Sequence, residues 1–421
     1  MSTSPTLMKT RTHLTPRPTA ITAGPDAVAK GLAHLPGLVF FDTAGNLPTK
    51  HTPPISIIGA RPTEIIRGHL SDPSALDNAL KKQAPSLAPD YGFPTGGACG
   101  AIDYDGSFTF GIYPELLIFH HQSREWWEIG NLSSQIRKTK PSANFTLGTW
   151  QDSLPQDEFI KTVKTIKEYI AAGDIYQVNL SRRRRAKCRA PEGLLFLYDK
   201  LRNSSPAPNA SYLNLAGREI LSSSPETFLR FSGSEVETRP IKGTRPRFAD
   251  PELDSRSAFD LQRSEKERAE LVMITDLLRN DIGQVCEFGS VQVTDMLQLE
   301  KLQHVHHLVS TIRGTLAPEY NQLSALASCF PGGSITGAPK KRATEIISEL
   351  EPVSRGLYTG AIGFLGFNGE SQFNIAIRTL IHENGHLDYH VGAGIVADSD
   401  PLAEFEETEH KARGVRLALE P

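Results

Sequence analysis

RPIKGTRPR, residues Arg239–Arg247, places one lysine, Lys242, between Ile241 and Gly243 in a segment bounded by Pro240 and Pro246. Prolines on both sides restrict the backbone, so the stretch is expected to be extended and pinned. A lysine held in a partly apolar cleft can have its pKa lowered from about 10.4 towards neutrality and then act as a nucleophile. The alternative is a solvated surface lysine, which is where most lysines lie. Around it, Ser222–Glu226 (SSSPE) sits between strand-like runs, and Phe373–Leu380 (FNIAIRTL) reads as one strand with Arg378 in apolar company. Arg378 suits either a bidentate carboxylate contact or a structural ion pair. The turn at Glu383–Gly385 leads into Leu387–Val396 as a hairpin, which ends in Gly392, Ala393 and Gly394 and two more residues. Many strand–turn–strand runs and few β–α–β alternations point to an α+β architecture.

Helical periodicity appears in three places. Phe159, Val163, Ile166 and Ile170 mark a helix with Asp157 as its expected N-cap and Gly173 at its end. A second runs over Ser264–Leu278, with Glu267 and Glu270 on one face and Leu271, Ile274 and Leu278 on the other. The third, Leu402–Leu419, presents Glu404, Glu407 and Lys411 on one face and packs through Phe405, Ala412 and Leu419. Two E-x-x-E faces can hold a hard divalent cation such as Mg²⁺, which takes one or two carboxylates directly. Each face alone is equally an ordinary solvated one. Phe330–Lys340 (FPGGSITGAPK) leads into another helix and offers backbone N–H groups to an anion. It is not a nucleotide-phosphate loop, because Ala338–Pro339 follows Gly337 where that loop needs Lys–Ser/Thr, so the anion is read as a carboxylate.

Other features narrow the function. Arg182–Arg185 falls on a strand, where successive side chains point to opposite faces and make no single basic stripe. With a net charge of −3, nucleic acid is not an expected partner. His304, His306 and His307 lack the further ligands a zinc site needs, and at most one of His306 and His307 enters a given site. The four cysteines are scattered singly, as in a reduced cytoplasmic protein. No apolar run reaches the ~20 residues of a membrane span, and the N-terminus has no apolar signal core, so residues 1–16 are expected to be a disordered leader. Residues 17–145 form a first region, and 150–421 a second that carries the candidate chemistry.

RPIKGTRPR, SSSPE, AELVMITDLLRNDIG, HHLVSTIRG, PGGSITGAPKKRA, RGLYTGAIGF, FNIAIRTL and GAGIVADSDPLAEFEETEHKA occur in the order found in the chorismate-utilising enzymes. The chain resembles the large subunits of anthranilate synthase and aminodeoxychorismate synthase, with isochorismate and salicylate synthases as relatives. The likeness is strongest from about Asp157 to Arg413 and weaker in the first region, where GGACGAIDYD carries it. It implies an anthranilate synthase component I-like fold of packed antiparallel sheets, outer helices and a site in the cleft between them.

Two positions sort these relatives. Isochorismate and salicylate synthases carry a water-activating lysine where this chain has Gln177, and an amide is no general base. Anthranilate synthases usually carry alanine where this chain has Lys242, and aminodeoxychorismate synthases the lysine. The resemblance thus points to the component I subunits of aminodeoxychorismate synthases, with anthranilate synthase component I as the alternative and a non-catalytic chorismate-binding scaffold as the third reading. It implies Lys242 as nucleophile, Glu226 as acid and His307 near the leaving hydroxyl. Thr336, Tyr358, Arg378, Gly392, Ala393, Gly394 and Lys411 would hold the substrate's carboxylates. Mg²⁺ would be bound by Glu270 and Glu407 directly and by Glu267 and Glu404 through water. Ammonia would come from a separate glutamine amidotransferase subunit, and the product would be 4-amino-4-deoxychorismate, a precursor of 4-aminobenzoate and folate.

Overall fold

The computed structural model describes residues 15–44, 55–84, 91–138, 144–302 and 305–420. Residues 1–14 of the expected leader, and His304, lie outside the described residues. Among the described residues the strands form two antiparallel sheets, one of 13 strands and one of 10. The larger passes through Val39–Asp42, Asn209–Leu215, Arg218–Ser224, Thr379–Glu383, His386–Ile395 and Gln177–Arg189, in that order. The smaller passes through Ile241–Pro246, Val305–Thr315, Glu235–Arg239, Thr227–Ser232, Glu370–Ile375, Ala361–Gly366 and Gly97–Ile102. Both sheets mix early and late strands: Val39–Asp42 pairs with Asn209–Leu215, and Gly97–Ile102 with Ala361–Gly366.

The sheets pack face to face. Val39, Ile57, Leu213 and Ile220 of the larger meet Cys99, Ala101, Ile362 and Phe364 of the smaller in one buried cluster. Helices cover the outer faces. Glu265–Gly283 inserts Ile274, Leu278 and Ile282 against Leu229, Phe231 and Ile312, while Leu195–Ser204 and Pro401–Leu419 lay Leu197, Leu201, Ala412 and Val415 on the larger sheet. Each leucine-sized side chain so buried contributes about 1.5–3 kcal/mol, more than helix propensity supplies.

Local sequence explains the helix ends. Ser264 accepts from the Glu267 amide, and Asp400 from those of Leu402 and Ala403, so two side-chain caps start the glutamate-bearing helices. The first of these runs to Gly283, beyond the expected Leu278, because Ile282 continues the buried stripe. Asp157 is not the cap of the Gln156–Ala171 helix. Pro155 precedes that helix, its carbonyl accepting from the Phe159 amide, and Asp157 lies in the first turn near the positive end of the helix dipole.

FNIAIRTL is not one strand. Glu370–Ile375 belongs to the smaller sheet and Thr379–Glu383 to the larger, and the chain crosses between them at residues 376–378. Arg378 takes a left-handed φ of 51° at this corner. A second crossing, at Pro225–Glu226, lies beside it and runs from Arg218–Ser224 into Thr227–Ser232.

The arginine run alternates as expected on the Gln177–Arg189 strand. Arg182 is fully buried, bound to Asp152 and Glu409, with its Nε donating to Thr408 Oγ1 at 3.0 Å, and so ties the C-terminal helix to the sheet. Arg185 pairs with Asp388 at 2.6 Å. Arg182→Ala removes the buried partner of Asp152 and Glu409, which keep only the half-exposed Arg184 and Arg416, and is expected to lower the unfolding free energy by about 3 kcal/mol in urea titration. The exposed Arg189→Ala should shift it by no more than about 0.5 kcal/mol, and equal effects of the two would refute the tie.

Candidate active site

Pro240 divides one long edge into two strands. Glu235–Arg239 pairs with residues 312–315 of the Val305–Thr315 strand, and Ile241–Pro246 with residues 305–309. Pro240 has no N–H for the ladder, and its carbonyl instead accepts from the Ser310 amide at 3.2 Å. The register then slips: Lys242 lies opposite Leu308 and Thr244 opposite His307, leaving Gly243 as a bulge with φ 70°. A side chain at Gly243 would come within 2.7 Å of Leu261 Cδ1, so only glycine lets the helices pack onto the bulge. Lys242 is half-buried, and its positive charge acts on Glu226, Glu270 and Glu407.

The bulge also sets His307. Its Nδ1 lies 3.0 Å from the Gly243 carbonyl, which can only accept, so Nδ1 carries the proton. Nε2 is then a bare acceptor, buried and without a protein partner. Burial, and next the charge of Arg378, pull the His307 pKa down to about 4, so the ring is neutral at physiological pH. His306 points away and meets Asp254 at 2.9 Å.

Glu226 and Arg378 stand at the two sheet crossings. The Glu226 carbonyl accepts from the Ile375 amide at 3.1 Å, and the Arg378 carbonyl from the Ser223 amide at 3.1 Å. Glu226 is buried, which raises its pKa against the opposing pull of a hydrogen bond from Ser334 and the charges of Lys242 and Lys411. It is therefore suited to carry a proton. Among the described residues no carboxylate pairs with Arg378, and burial lowers its pKa, so its guanidinium is available to an anion.

The acidic helices meet over this cleft. Burial raises the pKa of Glu270, with Lys242 opposing it and both Glu267 and Glu407 adding to it. Glu407 is only half-buried and its pKa is lowered, because Lys411 at 2.7 Å, Lys266 and Lys242 outweigh the partial loss of water. Glu404 is buried and raised, accepting from Ser399 Oγ at 2.6 Å, and Glu267 lies 3.6 Å from Arg245. Glu270 and Glu407 come from different helices and interact through space, an oxygen-only set fitting a hard cation that keeps several waters. Among the described residues no three metal-ligating side chains converge on one point.

The remaining candidates are placed unequally. Tyr358 is buried and stacks on His390 with 5.2 Å between ring centres. Gly392 and Gly394 form a floor that Tyr358 overhangs: a Cβ at Gly392 would sit 2.8 Å from the Tyr358 hydroxyl. Ala393 points to the other face, under helices 156–171 and 340–350. Lys411 donates to the Gly392 carbonyl at 3.1 Å. Thr336 is fully buried, its hydroxyl donating to the Gly332 and Gly333 carbonyls at 3.2 and 3.3 Å, so that donor is already used. Three contributors carried no assignment from sequence: Ser334 on Glu226, Lys266 beside the carboxylates, and Arg355. Arg355 donates to the Asn179 and Ile335 carbonyls and lies 5.7 Å from the Tyr358 ring centre. Ser334 was within reach, since it lies in the same PGGSITGAPK motif as Thr336.

A family model for chorismate binding enzymes matches residues 96–416. Anthranilate synthase component 1 of Streptomyces coelicolor is 37% identical, over 94% of this chain and 84% of that protein. Aminodeoxychorismate synthase component 1 of Escherichia coli is 40% identical, over 77% of each. The crystal structure of anthranilate synthase component I from Streptococcus pneumoniae superposes with a TM-score of 0.75 at 28% identity, covering 88% of this chain and 95% of that one.

His307 gives a pH test. Unfolded histidine titrates near 6.5 and buried His307 near 4, so between these values the unfolded chain binds more protons and stability falls as pH falls. His307→Gln is expected to remove on the order of 3 kcal/mol of the stability lost between pH 7 and pH 4. Urea titrations of both proteins at the two pH values measure it; an unchanged acid loss would show that His307 is not held neutral by burial.

Proposed function

Since the chain belongs to the chorismate binding enzymes, we propose that it aminates chorismate to 4-amino-4-deoxychorismate, as an aminodeoxychorismate synthase component I does. The observation that carries this reading is Lys242 in the cleft, its charge felt by the buried Glu226. The Lys242 nitrogen attacks C2 of the ring through its lone pair. Glu226 gives its proton to the C4 hydroxyl, which leaves as water while the ring double bonds shift. Ammonia then attacks C4, the double bonds shift back, and the Lys242 nitrogen is released from C2 with the enolpyruvyl ether intact. His307, neutral and with Nε2 bare, accepts a hydrogen bond from the reacting hydroxyl or the amine that replaces it.

Arg378 supplies an unpaired cation for a substrate carboxylate. Mg²⁺, held by Glu270 and Glu407 with Glu267 and Glu404 behind water, would bind the ring carboxylate and withdraw charge as a Lewis acid. A glutamine amidotransferase subunit would provide the ammonia. A cytoplasmic location suits four buried, free cysteines, and no described helix is long and apolar enough to cross a membrane.

Anthranilate synthase is a second reading, because relatives of both kinds match at similar identity, 37% and 40%. Mass spectrometry of the product from chorismate, Mg²⁺ and ammonium separates the two. Aminodeoxychorismate is expected; anthranilate with pyruvate would make the second reading correct.

Two substitutions test the roles. Glu226→Gln removes the acid and should cost roughly 10²–10⁴ in kcat, whereas Lys242→Ala should leave only slow direct amination; full activity in either variant would sink its assignment. Glu270→Gln should raise the Mg²⁺ concentration at half-maximal activity, and an unchanged titration would remove it from the metal site.

A further inference from the structure

A polar row lies outside the cleft, on the helix-covered face of the larger sheet. Glu219 stands opposite His382, His382 opposite Leu387, and Leu387 opposite Ala186 across three ladders. Cys188 is two residues beyond Ala186 on the same face and packs with Leu387, Tyr212 and Leu194 in one buried cluster. His382 Nδ1 lies 3.1 Å from Glu219 Oε2; the ionised carboxylate can only accept, so Nδ1 carries a proton. Glu219 Oε1 accepts from the Tyr212 hydroxyl at 2.6 Å and the Leu194 amide at 2.9 Å, which fix the carboxylate in place. Gly193 makes room for it, since a Cβ there would lie 2.8 Å from Oε1. His382 Nε2 is buried without a hydrogen-bond partner among the described residues, and the Cys188 thiol lies against the same ring. Thiol, imidazole and carboxylate thus stand in the order of a nucleophile, the ring that handles its proton, and the group that orients the ring.

The other three cysteines sit in different surroundings. Burial raises the thiol of Cys99 and pushes those of Cys286 and Cys329 up to about 11 and 12, and no imidazole offsets it. Contact with the Cys188 thiol, and next the bond to Glu219, push His382 up to about 10, so its ring is a cation at physiological pH. A cation beside a thiol favours its reaction as a thiolate. Cys188 is only 5% exposed, but its amide donates to the carbonyl of Gly385 in a solvent-exposed turn, and the His382 side chain is 16% exposed. So narrow an opening suits a very small oxidant. We propose that Cys188, with His382 and Glu219 behind it, is a modification site at which hydrogen peroxide oxidises the thiol to a sulfenic acid. With the thiol proton on the His382 ring, the sulfur attacks one peroxide oxygen and the O–O bond breaks. The departing hydroxide takes a proton from the ring and leaves as water; the sulfur is oxidised and the peroxide reduced.

For the test, the full chain is exposed to hydrogen peroxide for timed intervals and then unfolded in dimedone, which traps sulfenic acid. Peptide mass spectrometry follows each cysteine separately. Cys286 separates chemistry from access, because it is the more exposed of the two, at 9% against 5%. Cys188 is expected to be trapped about tenfold faster than Cys286. His382→Gln should lower the Cys188 rate by about tenfold and leave that of Cys286 unchanged. Glu219→Gln should act in the same direction; glutamine keeps an acceptor for Tyr212 and Leu194 and removes the charge. Equal rates at the two cysteines, or faster reaction of Cys286, would overturn the proposal. A Cys188 rate unchanged by His382→Gln would overturn it as well, since the thiol would then react without the ring. Circular dichroism checks folding, and if His382→Gln does not fold, Glu219→Gln decides the point by the same comparison.

Discussion

The arrangement depends on two strands changing sheets at the same place. The crossing at Pro225–Glu226 and that at residues 376–378 are bonded to one another, with Ser224 Oγ donating to the Ile375 carbonyl at 2.6 Å and the Ile375 amide donating to the Glu226 carbonyl. A sheet interior leaves little space for a functional side chain, because pairing uses both edges and packing uses much of both faces. A crossing frees the backbone from one ladder before it joins the next, and the side chains there project into the gap between the layers. Glu226 and Arg378 are those side chains, and the left-handed backbone of Arg378 is the local cost of the turn.

The electrostatics follow from that gap. One carboxyl, Glu226, is kept from solvent and pushed towards its protonated form, while the half-exposed Glu407 is held ionised by neighbouring lysines. His307 is neutral with a defined tautomer because a bulge turns one carbonyl towards Nδ1. Differences in burial and neighbours alone thus push two carboxyls of one cleft in opposite directions beside a neutral histidine.

Much of this was legible in the chain. Strand alternation showed that the arginine run makes no single basic stripe, and helical spacing located both glutamate faces; each depends only on local periodicity. The Asn384–Gly385 pair, both at positive φ, marks the hairpin as its residue types suggest. What escaped depends on contacts distant in sequence. FNIAIRTL is apolar throughout, and nothing in its period announces that Arg378 turns a corner between sheets. Asp157 has the right residue type for a cap, but Pro155 had already set the start of the helix. Thr336 lies in a motif that marks the site, yet local carbonyls take its hydroxyl, which only the folded turn reveals. Family likeness supplied the assignment of roles; spacing alone left each carboxylate pair indistinguishable from a solvated face.

The shared sheets have a consequence for how the protein is made. Gly97–Ile102 finds its neighbour only when Ala361–Gly366 has been synthesised, and the glutamates of the C-terminal helix come later still. Until then the nascent chain holds open strand edges and uncovered apolar faces, in a topology of high contact order that folds slowly. Glu226 and Lys242 leave the ribosome well before Glu404 and Glu407, so an incomplete chain has these two side chains without the second acidic helix. Completion of the cleft is thus among the last events of folding, and chain elongation itself keeps Lys242 from meeting both acidic helices before the chain is finished.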